Sequence, residues 1–445
     1  MPKAATLRSG QPAGTPRLLG LGLFDSGAVI ASIGSVGVIG IAGFALNLCV
    51  ARFYGLDGLG VFSQALAIFL ILGQACAGGF AFSTLHHFSK VGPKSPDARF
   101  HILGSTLPVA LVGGMIALVL WLFADGIGWV FGSEMVAAIL PLVGIATLLF
   151  GLNKVGGMAL NGMGHLKAFA LTQAIRLPLM LTALLTLVWF EAPLQSIGWI
   201  FVTSELILLA IIIGFIIGWT PRTSFSFQKI MAVVQRESHR GWRGFMIGLL
   251  ADINTRVDIL VLSVFLTDRL VGMYAFGALM AEGVRMLPTA LQNVVNPRLP
   301  SLIADKSREG LADLYRRLAR YGRPVLLLAA ALGVVFILLI APGLMNIDDN
   351  RQSALVFAVI ALGIVTAAPA IALDQIFSQA GAPGLQVRFF GMLVGANLAL
   401  NLALVPVLGL VGAALATAAV EGLRWSLLNR LIGRHLGLRL WGGAP

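Results

Sequence analysis

Charge is scarce in this sequence. Of its 445 residues only 11% are Asp, Glu, Lys or Arg, against about 25% in ordinary soluble domains, while 58% are hydrophobic. That balance excludes a soluble globular chain. Carboxylates are the scarcer sign, 19 against 31 basic residues, for a formal charge of +12. Cysteine is almost missing: Cys49 and Cys76 both fall in apolar stretches, so no disulfide framework can be read. None of the six histidines has a metal-ligand spacing such as His-Glu-x-x-His, and His86-His87 beside Phe88 and Lys90 reads as a loop feature. No Gly-x-x-x-x-Gly-Lys-Ser/Thr loop is present, which leaves ATP hydrolysis within the chain unsupported, and no cofactor is implied.

Long apolar runs are abundant instead. A helix needs about 20 apolar residues to cross the hydrocarbon, and barrel strands of about ten alternating residues would leave no such runs. Twelve segments qualify: 28–51, 61–85, 101–123, 135–153, 169–190, 196–219, 245–266, 271–295, 324–344, 352–377, 388–406 and 410–430. The first is too long for the core of a cleaved secretory signal and reads as a retained span. An even number of spans puts both termini on one side. Lysine and arginine concentrate in the loops of that side, including Lys154 and Lys167 after the fourth span, whereas opposite loops hold only Arg52, Arg269 and Arg351. The positive-inside rule makes that side cytoplasmic and explains the excess charge without a nucleic-acid partner. The expected organisation is a cytoplasmic segment 1–27, an amino-terminal lobe 28–219, a connector 220–244, a carboxy-terminal lobe 245–430 and a cytoplasmic tail 431–445. The basic stretch from Gln235 to Arg243 is amphipathic enough to lie on membrane lipid, although an ordinary solvated loop fits equally well.

The halves repeat. Asp57-Gly-Leu-Gly60 follows the first span and Asp268-Arg-Leu-Val-Gly272 the seventh, with one insertion; Asn161-Gly-Met-Gly and Gln379-Ala-Gly-Ala-Pro-Gly occupy matching places after the fourth and tenth. Six spans per unit keep both copies in one orientation, the parallel-repeat plan with an axis along the membrane normal. The stretch Arg256-Val-Asp-Ile-Leu-Val-Leu-Ser-Val-Phe-Leu-Thr-Asp-Arg-Leu-Val-Gly-Met-Tyr274, followed by Glu282 and Leu287-Pro288, resembles the seventh and eighth helices of Wzx-type polysaccharide flippases, O-antigen and exopolysaccharide transporters of the MATE-like superfamily. Asn397-Leu-Ala-Leu-Asn401, running on through Pro406 and Gly409 to Ala414, is similar to that family's eleventh and twelfth helices. The resemblance implies an all-α polytopic membrane protein of about twelve transmembrane helices in two six-helix lobes, related by a parallel pseudo-two-fold axis. It also implies a cell inner membrane location and transfer of an undecaprenyl-diphosphate-linked oligosaccharide between leaflets, with polysaccharide polymerase and chain-length proteins as partners.

Charges inside spans cost about 2.5–3.5 kcal/mol each on insertion scales and usually face a bundle interior. The seventh span carries Asp252, Arg256 and Asp258, and the eighth Glu282 and Arg285. An antiparallel hairpin turning near residue 268 sets Arg256 opposite Glu282 and Asp252 opposite Arg285. Either these pairs only neutralise one another, or they line a hydrated cavity where arginines offer bidentate donors to a diphosphate. Arg176 adds a third cation to such a cavity or snorkels to the surface. Asn397, at i, i+4 from Asn401, either hydrogen-bonds between helices or contacts sugar. The substrate-binding candidates are thus Arg256, Arg285, Arg176 and Asn397. Glu282, Asp252, Asp258 and Glu205 are the ion-coupling candidates. Asp374 and Glu421 are expected to bridge locally to Arg424. A MATE-type multidrug or cation antiporter is the alternative, and a membrane-embedded polymerase is disfavoured by short outer loops.

Overall fold

A computed structural model describes residues 26–92, 95, 97–221, 226–237, 242–345 and 350–438. The basic residues Lys3, Arg8 and Arg17, Asp25, and Arg240 in the connector lie outside the described residues.

The described chain is helical throughout, as the lack of charge and the long apolar runs require. Among the described residues nine helices are long and apolar enough to cross a membrane. Two of them are double. Ser26–Ala77 bends at Gly55, whose φ of 71° suits glycine, and holds spans 1 and 2. Pro383–Leu436 bends at Gly409, φ 56°, and holds spans 11 and 12. Spans 3 to 6 are Ala98–Leu122, Glu134–Gly162, Leu166–Trp189 and Gly198–Trp219. Span 7 is split into Trp242–Asn254 and Val257–Phe265, each half too short to count alone. Span 8 is Asp268–Val295, span 10 is Arg351–Ala372, and span 9 runs from Arg308–Val335 through a π-turn at Phe336–Ile340. Among the described residues the total is twelve, as expected.

Span 2 ends at Ala77 and a separate helix, Phe80–Val91, follows it, span 9 begins early at Arg308, and two further departures from the apolar pattern lie near the site and in the connector. Span 4 continues to Gly162, so Lys154 lies within the helix instead of in the following loop. The connector contains an amphipathic helix, Phe227–Glu237, which packs on span 3 with Ile230 and Val233 against Gly104, and Lys229 bridges to Asp97 at 2.9 Å.

Spans 1 to 6 pack among themselves, as do spans 7 to 12, and the principal contact between the sets joins the double helix of spans 1 and 2 to span 8. The two repeats meet at their matching turns. A Cβ on Gly60 would fall 1.9 Å from the Asp268 carbonyl oxygen, and one on Gly272 would fall 2.0 Å from that of Leu56. This reciprocal crossing needs glycine on both sides. Asp268 adds side-chain bonds across it, accepting from Gln64 Nε2 at 2.7 Å and Ser133 Oγ at 2.6 Å. The crossing lies at the end of the bundle away from the basic loops, called the far end below. Trp121, Trp129, Trp189 and Trp199 are exposed near it, as in an interfacial aromatic belt.

Candidate functional site: a charged cavity between the lobes

Between the lobes lies a cavity of about 1250 Å³, walled by spans 1, 2 and 5 on one side and by 7, 8 and 10 to 12 on the other. Its apolar lining includes Phe44, Phe69, Phe169 and Met286. Seven of the eight candidate residues reach it: Arg176, Asp252, Arg256, Asp258, Glu282, Arg285 and Asn397. Glu205 does not. It is fully buried behind Arg176, which it holds at 2.7 Å, while Asn153 donates to its other oxygen at 2.7 Å. The Arg176 guanidinium also lies 4.6 Å from the centre of the Phe150 ring. Arg176 is thus anchored between a carboxylate and an aromatic face and does not snorkel.

The expected pairing of Asp252 with Arg285 does not form. Arg285 turns to span 12, meeting Glu421 at 2.7 Å, and to Glu282 on its own helix at 3.3 Å. Glu421 then holds Arg424 at 2.8 Å, and Arg424 holds Asp374 at 2.7 Å. The local bridges foreseen for Arg424 are therefore present, and Arg285 extends them into a four-residue ladder through spans 8, 12 and 10. The simple antiparallel register of spans 7 and 8 fails because span 7 is broken and span 12 presents Glu421 to Arg285.

Nor is Arg256 within ion-pair distance of Glu282. It sits at the break in span 7, with φ −136° and ψ −8°, heading the second half-helix. Its guanidinium feels Asp252, Glu282 and Asp258, but among the described residues it has no carboxylate within 4 Å, and its buried Nε lacks an acceptor. A buried donor without a partner costs about 1–3 kcal/mol, more when charged. The break itself is supported from span 11, where Asn397 donates to the Asn254 carbonyl at 2.9 Å and accepts from Asn401 at 2.7 Å. Asp258, one turn on, accepts from the Tyr274 hydroxyl and from the Ile259 amide. Tyr274 was not signalled by its sequence context, since a single tyrosine in an apolar helix usually only packs.

The lining therefore carries three arginines and four carboxylates. Arg176 and Arg285 are each tied to a buried partner. Arg256 is the cation left to bind something else.

Comparison with known proteins bears on what that could be. Residues 107–342, more than half of the chain, match the family described as polysaccharide biosynthesis protein. The chain belongs to that family. No curated protein matches the sequence. Among solved structures, the polysaccharide-biosynthesis chain is similar to the lipid II flippase MurJ in an inward closed conformation, with a TM-score of 0.71 and 16% identity over 92% of this chain and 87% of that one. It is also similar to an inward-facing multidrug resistance MATE family transporter of the MOP superfamily, with a TM-score of 0.66 and 13% identity over 91% and 98%. A MOP superfamily transporter from Pyrococcus furiosus, described by the reversed polarity of its binding pocket, gives 0.56 and 12% over 92% and 94%. At these identities the likeness establishes the fold, and the protein is a multi-pass membrane protein of the MurJ and MATE architecture.

Proposed function

We propose that this protein is a flippase that carries a polyprenyl-diphosphate-linked oligosaccharide, of the undecaprenyl type, from the cytoplasmic to the outer leaflet of the cell inner membrane. In this reading it is a carrier without catalytic residues. Its family membership points to polysaccharide assembly. The observation that carries the reading is Arg256, a guanidinium with an unsatisfied buried donor in a cavity of about 1250 Å³. Pockets for drug-sized ligands enclose about 300–1,000 Å³, so this cavity has room for a diphosphate with attached sugars. A planar guanidinium can bind two phosphate oxygens at once.

The moving units would be the lobes 28–219 and 245–430, with the basic end and both termini cytoplasmic. The Gly60–Gly272 crossing and Asp268 seal the far end, and transport requires that seal to part. Asp252 faces the cavity with no ion-pair partner among the described residues and is the better ion-coupling candidate, while Glu282, also at the cavity, is paired with Arg285 at 3.3 Å. Asp258 is engaged by Tyr274, and Glu205 by Arg176 and Asn153.

In cells that depend on this protein, Arg256→Ala should abolish surface polysaccharide while the protein stays in the membrane at normal level. Normal polysaccharide in that variant would defeat the proposal. The surplus carboxylate in the lining favours a second reading, a MATE-type cation antiporter. That reading requires reduced accumulation of a lipophilic cation such as ethidium when the protein is expressed, and the flippase reading requires no change.

A further inference from the structure

Most polar groups on the cavity wall are already satisfied by the protein. Among the described residues that line it, two keep a buried polar atom with neither a hydrogen bond nor an ion pair: Arg256 at Nε and Asn254 at Oδ1. They flank Thr255 at the break in span 7, where the helix Trp242–Asn254 has ended and Val257–Phe265 has not begun. One atom is a donor and the other an acceptor. Thr255 between them is turned back on its own chain, donating to the Asp252 carbonyl at 2.9 Å.

The other carboxamides of the site differ from Asn254. Asn47 donates to the Gly43 carbonyl of its own helix at 2.8 Å, and Gln173 has no buried polar atom without a partner. Asn397 is used at both ends, donating to the Asn254 main-chain carbonyl at 2.9 Å and accepting from Asn401 at 2.7 Å. That relay fixes the Asn254 backbone from span 11 and leaves its side chain uncommitted. An acceptor sealed from water without a donor destabilises the empty protein, and a ligand that brings the donor removes the penalty.

The chemistry of a lipid-linked glycan limits what can bring it. Ionised phosphates offer acceptors only, and a polyprenyl chain has no donor. Sugars have hydroxyls and, in amino sugars, an acetamido N–H. Two residues of chain reach at most about 7 Å, so a group that meets Asn254 while the diphosphate meets Arg256 belongs to the sugar bonded directly to that diphosphate.

We propose that Asn254 is a specificity-determining residue, its carboxamide oxygen accepting a hydrogen bond from a hydroxyl or acetamido N–H of this first sugar. The inference rests on the reading of the cavity as a polyprenyl-diphosphate site and deepens it by giving the site a direction, with sugar on the Asn254 side of Arg256 and lipid on the other. The carrier then distinguishes a loaded lipid from bare polyprenyl diphosphate, which leaves the acceptor unpaired. Asn397 acts through Asn254 as a positioning residue.

The test uses the purified full chain in detergent and titration calorimetry with two probes, farnesyl diphosphate and the same lipid bearing one N-acetylglucosamine on its terminal phosphate. The unmodified protein should bind the sugar-bearing probe about tenfold more tightly, the scale of one hydrogen bond to a buried group otherwise left unpaired. Asn254→Leu should lose that gain and still bind farnesyl diphosphate within about twofold of the unmodified protein, whereas Arg256→Ala should weaken both probes. Because the Asn254 side-chain oxygen has no partner to lose, leucine should leave the melting temperature unchanged. Asn254→Ala repeats the measurement without added bulk. Equal binding of the two probes by the unmodified protein, a gain that survives in both Asn254 variants, or equal weakening of both probes by those variants would overturn the assignment and leave the diphosphate reading in place. If the unmodified protein binds neither probe, that reading fails and the assignment falls with it.

Discussion

The Arg176–Glu205 contact is the clearest case of a charge inside a span doing structural work. Glu205 is fully buried, and both its oxygens are engaged, by Arg176 and Asn153. Breaking a buried pair by removing one partner leaves an uncompensated charge and costs about 3–5 kcal/mol. Glu205→Ala should therefore lower the melting temperature of the purified protein markedly, and Glu205→Gln, which keeps the hydrogen bond with Asn153, should lower it less. Equal stability of the two variants would show that charge is irrelevant there. Each of these charged residues is visible in the sequence because lipid excludes it. Their partners are not, since choosing between Glu282 and Glu421 for Arg285 requires knowing which helix faces span 8. Arg256 stands out only after Arg176 and Arg285 have been accounted for. Lys154 is hidden differently: the apolar run stops beside it, and only the helix end at Gly162 places it inside the span.

At the scale of elements, two features govern the site, the break in span 7 and the crossing of spans 2 and 8. The break frees the Asn254 carbonyl, and Asn397 satisfies it from span 11. Asn397→Ala would leave that acceptor without its side-chain donor at a cost of about 1–3 kcal/mol, measurable as a fall in melting temperature. Were Asn397 concerned with sugar alone, stability would be unchanged. Nothing in the unbroken apolar pattern of 245–266 announces the break, because Thr255 and Arg256 interrupt it no more than other polar residues do. The crossing, by contrast, is legible: matched turns at Asp57 and Asp268 mark the repeat, and Gly60 and Gly272 prove to be its contact point. Gly272→Val would drive a side chain into the Leu56 carbonyl, 2.0 Å from where its Cβ must lie. In a cysteine-free background, Asn47→Cys in the cavity should then react with an impermeant maleimide from the far end. With Gly272 intact it should not. Identical labelling of the two would mean that the crossing is not the seal.

For the molecule as a whole, scarcity of charge decided the class of fold, and the distribution of the few charges decided most of the rest. Twelve spans and two lobes follow from apolar runs and a repeat, and family membership and the MurJ and MATE likeness agree with them. Cargo is harder to read because the lining mixes both signs, and a tally of charges does not distinguish a spent cation from a free one. The central claim, that the lobes carry a diphosphate-linked glycan past one another using Arg256, is tested most directly by reconstitution. Purified protein is placed in liposomes with a fluorescent polyprenyl-diphosphate oligosaccharide, and the label reaching the opposite leaflet is measured with an impermeant quencher. The account predicts transfer with the unmodified protein and at least a tenfold loss with Arg256→Ala. Transfer at the protein-free rate, or equal transfer by the variant, would contradict it.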